Sequence, residues 1–188
     1  MIDKPSDEEA AECVRKLLAY IGDDPTREGL QDTPRRVLGA IGEHFRGYQD
    51  DPVEHLQRTF SEVEGYDELV LVSDIEIYSH CEHHVVPFVG KAHVAYLPSH
   101  GKVTGLSKLA RVVEEVARRP QVQERLTRQI LVALQTLLGT EDVAVSIEAT
   151  HYCVKSRGVM DTNSQTSTTA LGGCFRDNIH TRAEFLNP

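Results

Sequence analysis

The sequence has no surplus of positive charge, no long apolar run and no excess of glycine or proline, and each absence removes a class of protein. Its 20 Lys and Arg face 29 Asp and Glu, a net charge of −9. Non-specific binding to nucleic acid by phosphate neutralisation is therefore not expected. No stretch approaches the roughly 18 apolar residues that a bilayer span needs. The opening segment, Met1 to Glu9, is acidic and lacks the apolar core of a secretion signal. Both features lead us to expect a cytoplasmic protein whose 4 cysteines are reduced thiols. With 13 Gly, 8 Pro and 26% charged residues among 188, the chain is neither fibrous nor disordered. What is present is a 40% hydrophobic share, enough to bury a core without disulfide or metal staples. The length fits one domain with a helical appendage.

Charge and periodicity divide the chain. Residues 1–68 carry 8 basic and 17 acidic side chains, whereas residues 69–188 carry 12 of each. Residues 1–67 read as an acidic, solvated helical region. Ser6 and Glu9 have capping-box spacing, and Ala10, Val14, Leu17, Leu18 and Ile21 recur at helical intervals up to the break at Asp23-Asp24-Pro25. Thr33-Pro34 starts a second helix, with Thr33 as N-cap and a stripe of Val37, Leu38, Ile41 and Phe45 ending near Gly47. Residues 49–67 are polar and read as a connector.

From residue 68 the period changes. Leu69, Leu71, Ile75 and Ile77 alternate on one side of a strand, and Val89–Leu97 forms a second, followed by a turn at Pro98-Ser99-His100-Gly101. A helix over Leu106–Arg118 turns Leu109, Val112, Val113 and Val116 inward. Pro120 restarts a longer helix with a stripe of Val122, Leu126, Ile130, Leu134 and Leu137, ended by Gly139. A third strand, Val143–Cys153, places His151 and Cys153 on the face that also holds Val145 and Ile147. A last strand is expected near Ser167–Phe175. The order β-β-α-α-β-β over 68–188 predicts an α+β domain with an antiparallel sheet.

The chemistry concentrates in Ser79-His80-Cys81-Glu82-His83-His84. Cys81 and His84 have the C-x-x-H spacing of a metal-binding turn, and thiolate with imidazole suits Zn²⁺. No second half of a closed four-ligand site is present, so the third ligand is distant, and Cys153 is the best candidate. Two Cys and one His leave a tetrahedral position open, as in catalytic zinc. Extra titratable neighbours at His80, Glu82 and His83 favour function over a structural site; Glu82 is open to an acid role or to holding the turn. Cys13 and Cys174 read as small buried hydrophobes, and His44, His55, His93, His100 and His180 as ordinary surface or core residues. Gly105-Leu106-Ser107-Lys108 opens a helix with Arg111 one turn on, a phosphate cradle of N–H groups, hydroxyl and cations. Lys155 and Arg157 add charge just after Cys153, while Arg118, Arg119, Arg125 and Arg128 read as a solvated face.

Several of these segments, in order, resemble one family. Cys81-Glu82-His83-His84, Gly105-Leu106-Ser107-Lys108, the run Arg119 to Leu126, His151-Tyr152-Cys153 with Arg157-Gly158, and the closing Thr181 to Leu186 are similar to zinc-dependent GTP cyclohydrolase I over roughly residues 30–186. The resemblance implies a tunnelling fold and the first step of pterin and folate synthesis: GTP is opened at its imidazole ring, C8 leaves as formate, and 7,8-dihydroneopterin triphosphate forms. It implies one zinc per subunit on Cys81, His84 and Cys153, acid–base roles for His83 and His151, and guanine recognition by Glu124 with Gln123 beside it. It implies triphosphate contacts from Ser107, Lys108, Arg111 and Arg157, with Arg36 donated by a neighbouring subunit. It also implies a homodecamer of two stacked pentameric rings whose sheets join into a barrel. Some family members have a basic residue three positions after Arg36; here Gly39 stands there. Two rivals differ in their metal chemistry. A related pterin or deazapurine enzyme would use three His or a nucleophilic Cys, and a zinc-stabilised binding module would close the fourth position.

Overall fold

The computed structural model describes residues 3–49, 59–60, 66–98 and 103–187. His55, His100 and the turn at 99–101 lie outside them, as does most of the 49–67 connector. The chain divides into two compact units, residues 1–45 and 46–188.

The first unit is a helix pair. Helix α1, Asp7–Tyr20, begins as the capping box dictates: the Ser6 hydroxyl accepts from the Glu9 N–H at 3.3 Å, and the Glu9 carboxylate accepts from the Ser6 N–H at 2.8 Å. Helix α2 spans Thr33–His44. Its N-cap is Asp32, one residue before the expected Thr33, because Pro34 is tolerated in the first turn and lets the helix start a residue earlier. Only Ala11 of α1 and Pro34 of α2 are buried. Cys13, expected inside, is exposed.

The second unit is built on a five-stranded sheet in the order β5-β2-β3-β6-β7. Its strands are β2, Val70–Cys81; β3, Pro87–Tyr96; β5, Pro120–Gln121; β6, Val143–His151; and β7, Thr166–Leu171. All pairings are antiparallel except β5 with the end of β2. Two further short strands, β1 (Thr59–Phe60) and β4 (Val103–Thr104), pair separately. Helices α3, Leu106–Ala117, and α4, Gln123–Leu138, pack together on one face of the sheet. Val112, Val113, Leu126, Ile130 and Leu134 meet Phe88, Val94, Val145 and Ile147 there, all fully buried. Gly139 ends α4 in the left-handed region at φ 64°, which glycine adopts without a Cβ penalty. Near one end of the opposite face, Phe175 and Phe185 cover Ala95 and Ala144.

Four expectations need correction. Leu69 and Leu71 do not share a face with Ile75 and Ile77. A bulge between Val72 and Ile75, with Asp74 at φ 58°, inserts one residue, and the period of two then moves the side chains across the sheet. Leu69 and Leu71 therefore pack on the Phe175 side, whereas Ile75 and Ile77 join the main core. Second, Pro120-Gln121 is a strand rather than a helix start; proline lacks a ladder donor and is tolerated at the sheet edge. Third, β6 stops at His151, and Cys153 lies in a single helical turn, α5, Tyr152–Lys155. Fourth, β7 stops at Leu171, so Cys174 sits in helix α6, Gly173–Asp177, half-buried, and a further helix α7, Ile179–Leu186, follows.

Candidate metal centre and active site

Strand β2 delivers Cys81 to a tight turn at the sheet's end. The Val85 N–H donates to the Cys81 carbonyl at 2.8 Å, and the Cys81 N–H donates to the Val86 carbonyl at 2.9 Å. Val85 holds φ 54°, a costly conformation for a β-branched residue, so the surroundings enforce the turn. The turn folds His84 back: its Nδ1 lies 3.6 Å from the Cys81 Sγ. Strand β6 pairs with β3, opposing His151 to Phe88, and the α5 turn then brings Cys153 inward. The donor atoms of Cys81, His84 and Cys153 lie within 4.8 Å of one another, a group able to hold a metal ion.

Burial and the neighbouring Cys81 push the Cys153 thiol above its ordinary value, with Arg157 pulling weakly the other way. Two thiols and an imidazole thus converge where a bound cation would favour the thiolates. Arg157 reaches the same place: its Nη1 lies 3.2 Å from the His84 Nε2. His83 stands edge-on to His84, ring centroids 6.2 Å apart at 82°, with its Nδ1 3.9 Å from the Cys81 Sγ, and is well exposed beside Glu82.

A second group surrounds His151. Its ring stacks on buried Phe88, centroids 4.5 Å apart, and its Nε2 meets the Gln123 Oε1 at 2.7 Å. Burial lowers the His151 pKa, opposed by the charge of Glu124. Gln123 is only 2% exposed, and its Nε2 donates to the carbonyls of Ile147 and Thr166 and to the Thr168 hydroxyl. Glu124, the next residue, is exposed and lines a cavity with Thr127, Arg128, Thr168 and Arg176.

Ser107, Lys108 and Arg111 stand on the first turns of α3, a separate element from the thiol cluster. Arg36 belongs to the first unit, where it pairs with Asp32 at 3.4 Å. Arg125, which the sequence pattern puts on a solvated face, instead forms an ion pair with Glu82 and donates to the Gln121 Oε1 at 3.2 Å. The Arg125 guanidinium holds the Glu82 carboxyl below its usual range. Because β5 pairs with β2 at His80 and Cys81, and the Glu82 N–H donates to the Gln121 carbonyl at 3.0 Å, the start of α4 clamps the cysteine turn. The only sequence signal was Arg125's place four residues after Gln121, on the first turn of a helix.

The chain matches the family model described as GTP cyclohydrolase I over residues 10–188. It is 51% identical to GTP cyclohydrolase 1 of Hyphomonas neptunium, across 99% of this chain and 90% of that protein. The protein of the same name from Carboxydothermus hydrogenoformans is 55% identical over 99% of this chain and 94% of its own length. That from Geobacillus kaustophilus is 55% identical over 93% and 92%.

Proposed function

From the premise that the chain belongs to the GTP cyclohydrolase I family, enzymes of the first step of pterin and folate synthesis, we propose that Cys81, His84 and Cys153 hold one zinc ion at which the imidazole ring of GTP is hydrolysed. The observation that carries the assignment is the convergence of two thiols and one imidazole within 4.8 Å, a donor set that fits zinc. Zinc held there supplies Lewis acidity that makes water a nucleophile near neutral pH.

The chain's own residues do the rest. His83 and His151 move protons to and from the purine nitrogens, as imidazoles near neutral pH can. Glu124 accepts the guanine N1–H and exocyclic amine together; adenine offers no such pair, so one carboxylate supplies both affinity and selectivity. Ser107, Lys108, Arg111 and Arg157, with Arg36 from a neighbouring subunit, neutralise a triphosphate that a chain of net charge −9 would otherwise repel. Gly39 removes one phosphate contact that some family members have. Arg125 holds Glu82 and with it the turn that carries Cys81 and His84.

This reading includes the tunnelling fold and a decamer of two pentameric rings. Its support is that β7 and residues 70–79 of β2 each pair on one side only among the described residues, and open edges call for a partner strand. No described helix is long and apolar enough to cross a membrane; a cytoplasmic location belongs to the same reading. Incubation with GTP tests the function: formate and a pterin absorbance are expected in equal amounts. His83→Ala and His151→Ala should retain zinc yet lose turnover by at least ~10². Zinc loss in either variant would make that histidine a ligand.

A further inference from the structure

Gln123 stands at the head of α4 beside Glu124, yet its amide is spent inside the protein. Its Nε2 donates to the carbonyls of Ile147 at 3.1 Å and Thr166 at 2.9 Å. Carbonyl oxygens only accept, so the end of the side chain facing them is the NH₂ group, and a flipped amide is excluded. The Thr168 hydroxyl receives a third contact at 3.1 Å and meets the Thr127 hydroxyl at 2.7 Å, which in turn donates to the Gln123 backbone carbonyl at 2.8 Å. Every polar group in this chain of contacts has a partner, and such a network is rigid. The opposite end of the amide is therefore an acceptor held at a fixed place, 2.7 Å from the His151 Nε2.

An acceptor at that distance requires a hydrogen on Nε2, whether the imidazole is neutral or charged. We propose that Gln123 is a positioning residue that pins the His151 ring, its fixed amide oxygen accepting the Nε2–H and leaving Nδ1 as the nitrogen outside the Gln123 network. Phe88 fixes the plane of the ring by stacking at 10°, and Gln123 fixes its rotation within that plane. Helix α4 thus presents Glu124 outward to a base and Gln123 inward to the histidine from adjacent positions. The inference rests on the acid–base role proposed for His151, but the hydrogen position is measurable without turnover.

Neutron diffraction from perdeuterated crystals of the zinc-loaded protein should show a deuteron on the His151 Nε2 directed at the Gln123 Oε1. A deuteron on Nδ1 alone overturns the proposal. In kinetics, Gln123→Leu should lower kcat for GTP by about 10² with KM and zinc content unchanged. Gln123→Glu, whose buried carboxyl must take up a proton to donate to the Ile147 or Thr166 carbonyl while its other oxygen accepts from Nε2–H, should lose clearly less. A raised KM at unchanged kcat would make Gln123 a substrate contact instead, and equal losses in both variants would remove the hydrogen bond as the cause. If the Leu variant loses zinc or fails to assemble, the deuteron position in the unaltered protein decides. Failure of that protein to turn over GTP would sink the proposed function and leave the deuteron measurement standing.

Discussion

The first 45 residues and the sheet-based remainder are held by different physics. In the first unit the visible devices are local and wet: the Ser6–Glu9 box, the Arg15 pairs with Glu8 and Glu12, and the Asp23–Arg27 pair at 2.8 Å. Leu17 and Ile21 of its helical stripe are exposed, as is Tyr20. In the second unit α3 and α4 bury a continuous core against β2, β3 and β6, and the thiol cluster is assembled at its margin from segments some 70 residues apart. Surface ion pairs contribute little each, whereas buried aliphatic side chains contribute kilocalories. A catalytic geometry that must hold to fractions of an ångström therefore belongs on the second unit.

Substitutions in the two units should separate these contributions. The largest contrast is between two cysteines. Cys153→Ala should lose bound zinc and essentially all GTP turnover, while Cys13→Ala, exposed on α1, changes neither; metal analysis beside formate release checks both. Full zinc occupancy in Cys153→Ala would strike that residue from the ligand set. Next comes recognition. Glu124→Gln should lower kcat/KM for GTP by on the order of 10²-fold with zinc retained, since it removes one of two charge-assisted acceptors. An unchanged rate would end the guanine assignment.

Third is packing. Ile130→Ala, fully buried under the sheet, should cost about 2–5 kcal/mol in urea unfolding of the second unit. Leu17→Ala, 62% exposed, should stay within about 0.5 kcal/mol. Comparable losses would show that the α1 stripe is covered in the assembled protein. The smallest effect is electrostatic. Arg27 beside Asp23, helped by the Asp24 N–H, lowers the Asp23 pKa to about 2. A lowered carboxyl contributes stability that is present above its unfolded value, 3.8, and is lost as pH falls through about 2. NMR titration of the Asp23 carboxyl should place its midpoint near 2, and Asp23→Asn should remove that part of the acid-induced loss in the first unit. A midpoint at the ordinary value would mean the pair does not persist in solution.

Much of the second unit was legible because helix period survives burial. Leu109, Val112, Val113 and Val116 were read as inward and are buried, and Gly139 was read as the end of α4 and is its left-handed cap. Strand faces were legible only up to the bulge at Asp74, because one inserted residue reverses a period of two and no spacing rule announces it. Cys81, His84 and Cys153 were chosen by spacing and donor chemistry, and they converge, although Cys153 arrives on a helical turn rather than a strand.

The sequence by itself determined what depends on neighbours in the chain: the capping box, the helical stripes, the C-x-x-H turn and the choice of thiolate and imidazole donors. Tertiary structure alone decided what depends on partners far along it. Arg125 looked solvated because its partner Glu82 lies 43 positions away, and only the pairing of β5 with β2 brings them together. The resemblance sets Gln123 beside Glu124 at the guanine, and adjacent residues at a helix start share no rule about which one turns inward. The carbonyls of Ile147 and Thr166, placed by the β6–β7 ladder, settled that by offering two acceptors that the protein would otherwise have buried without a donor.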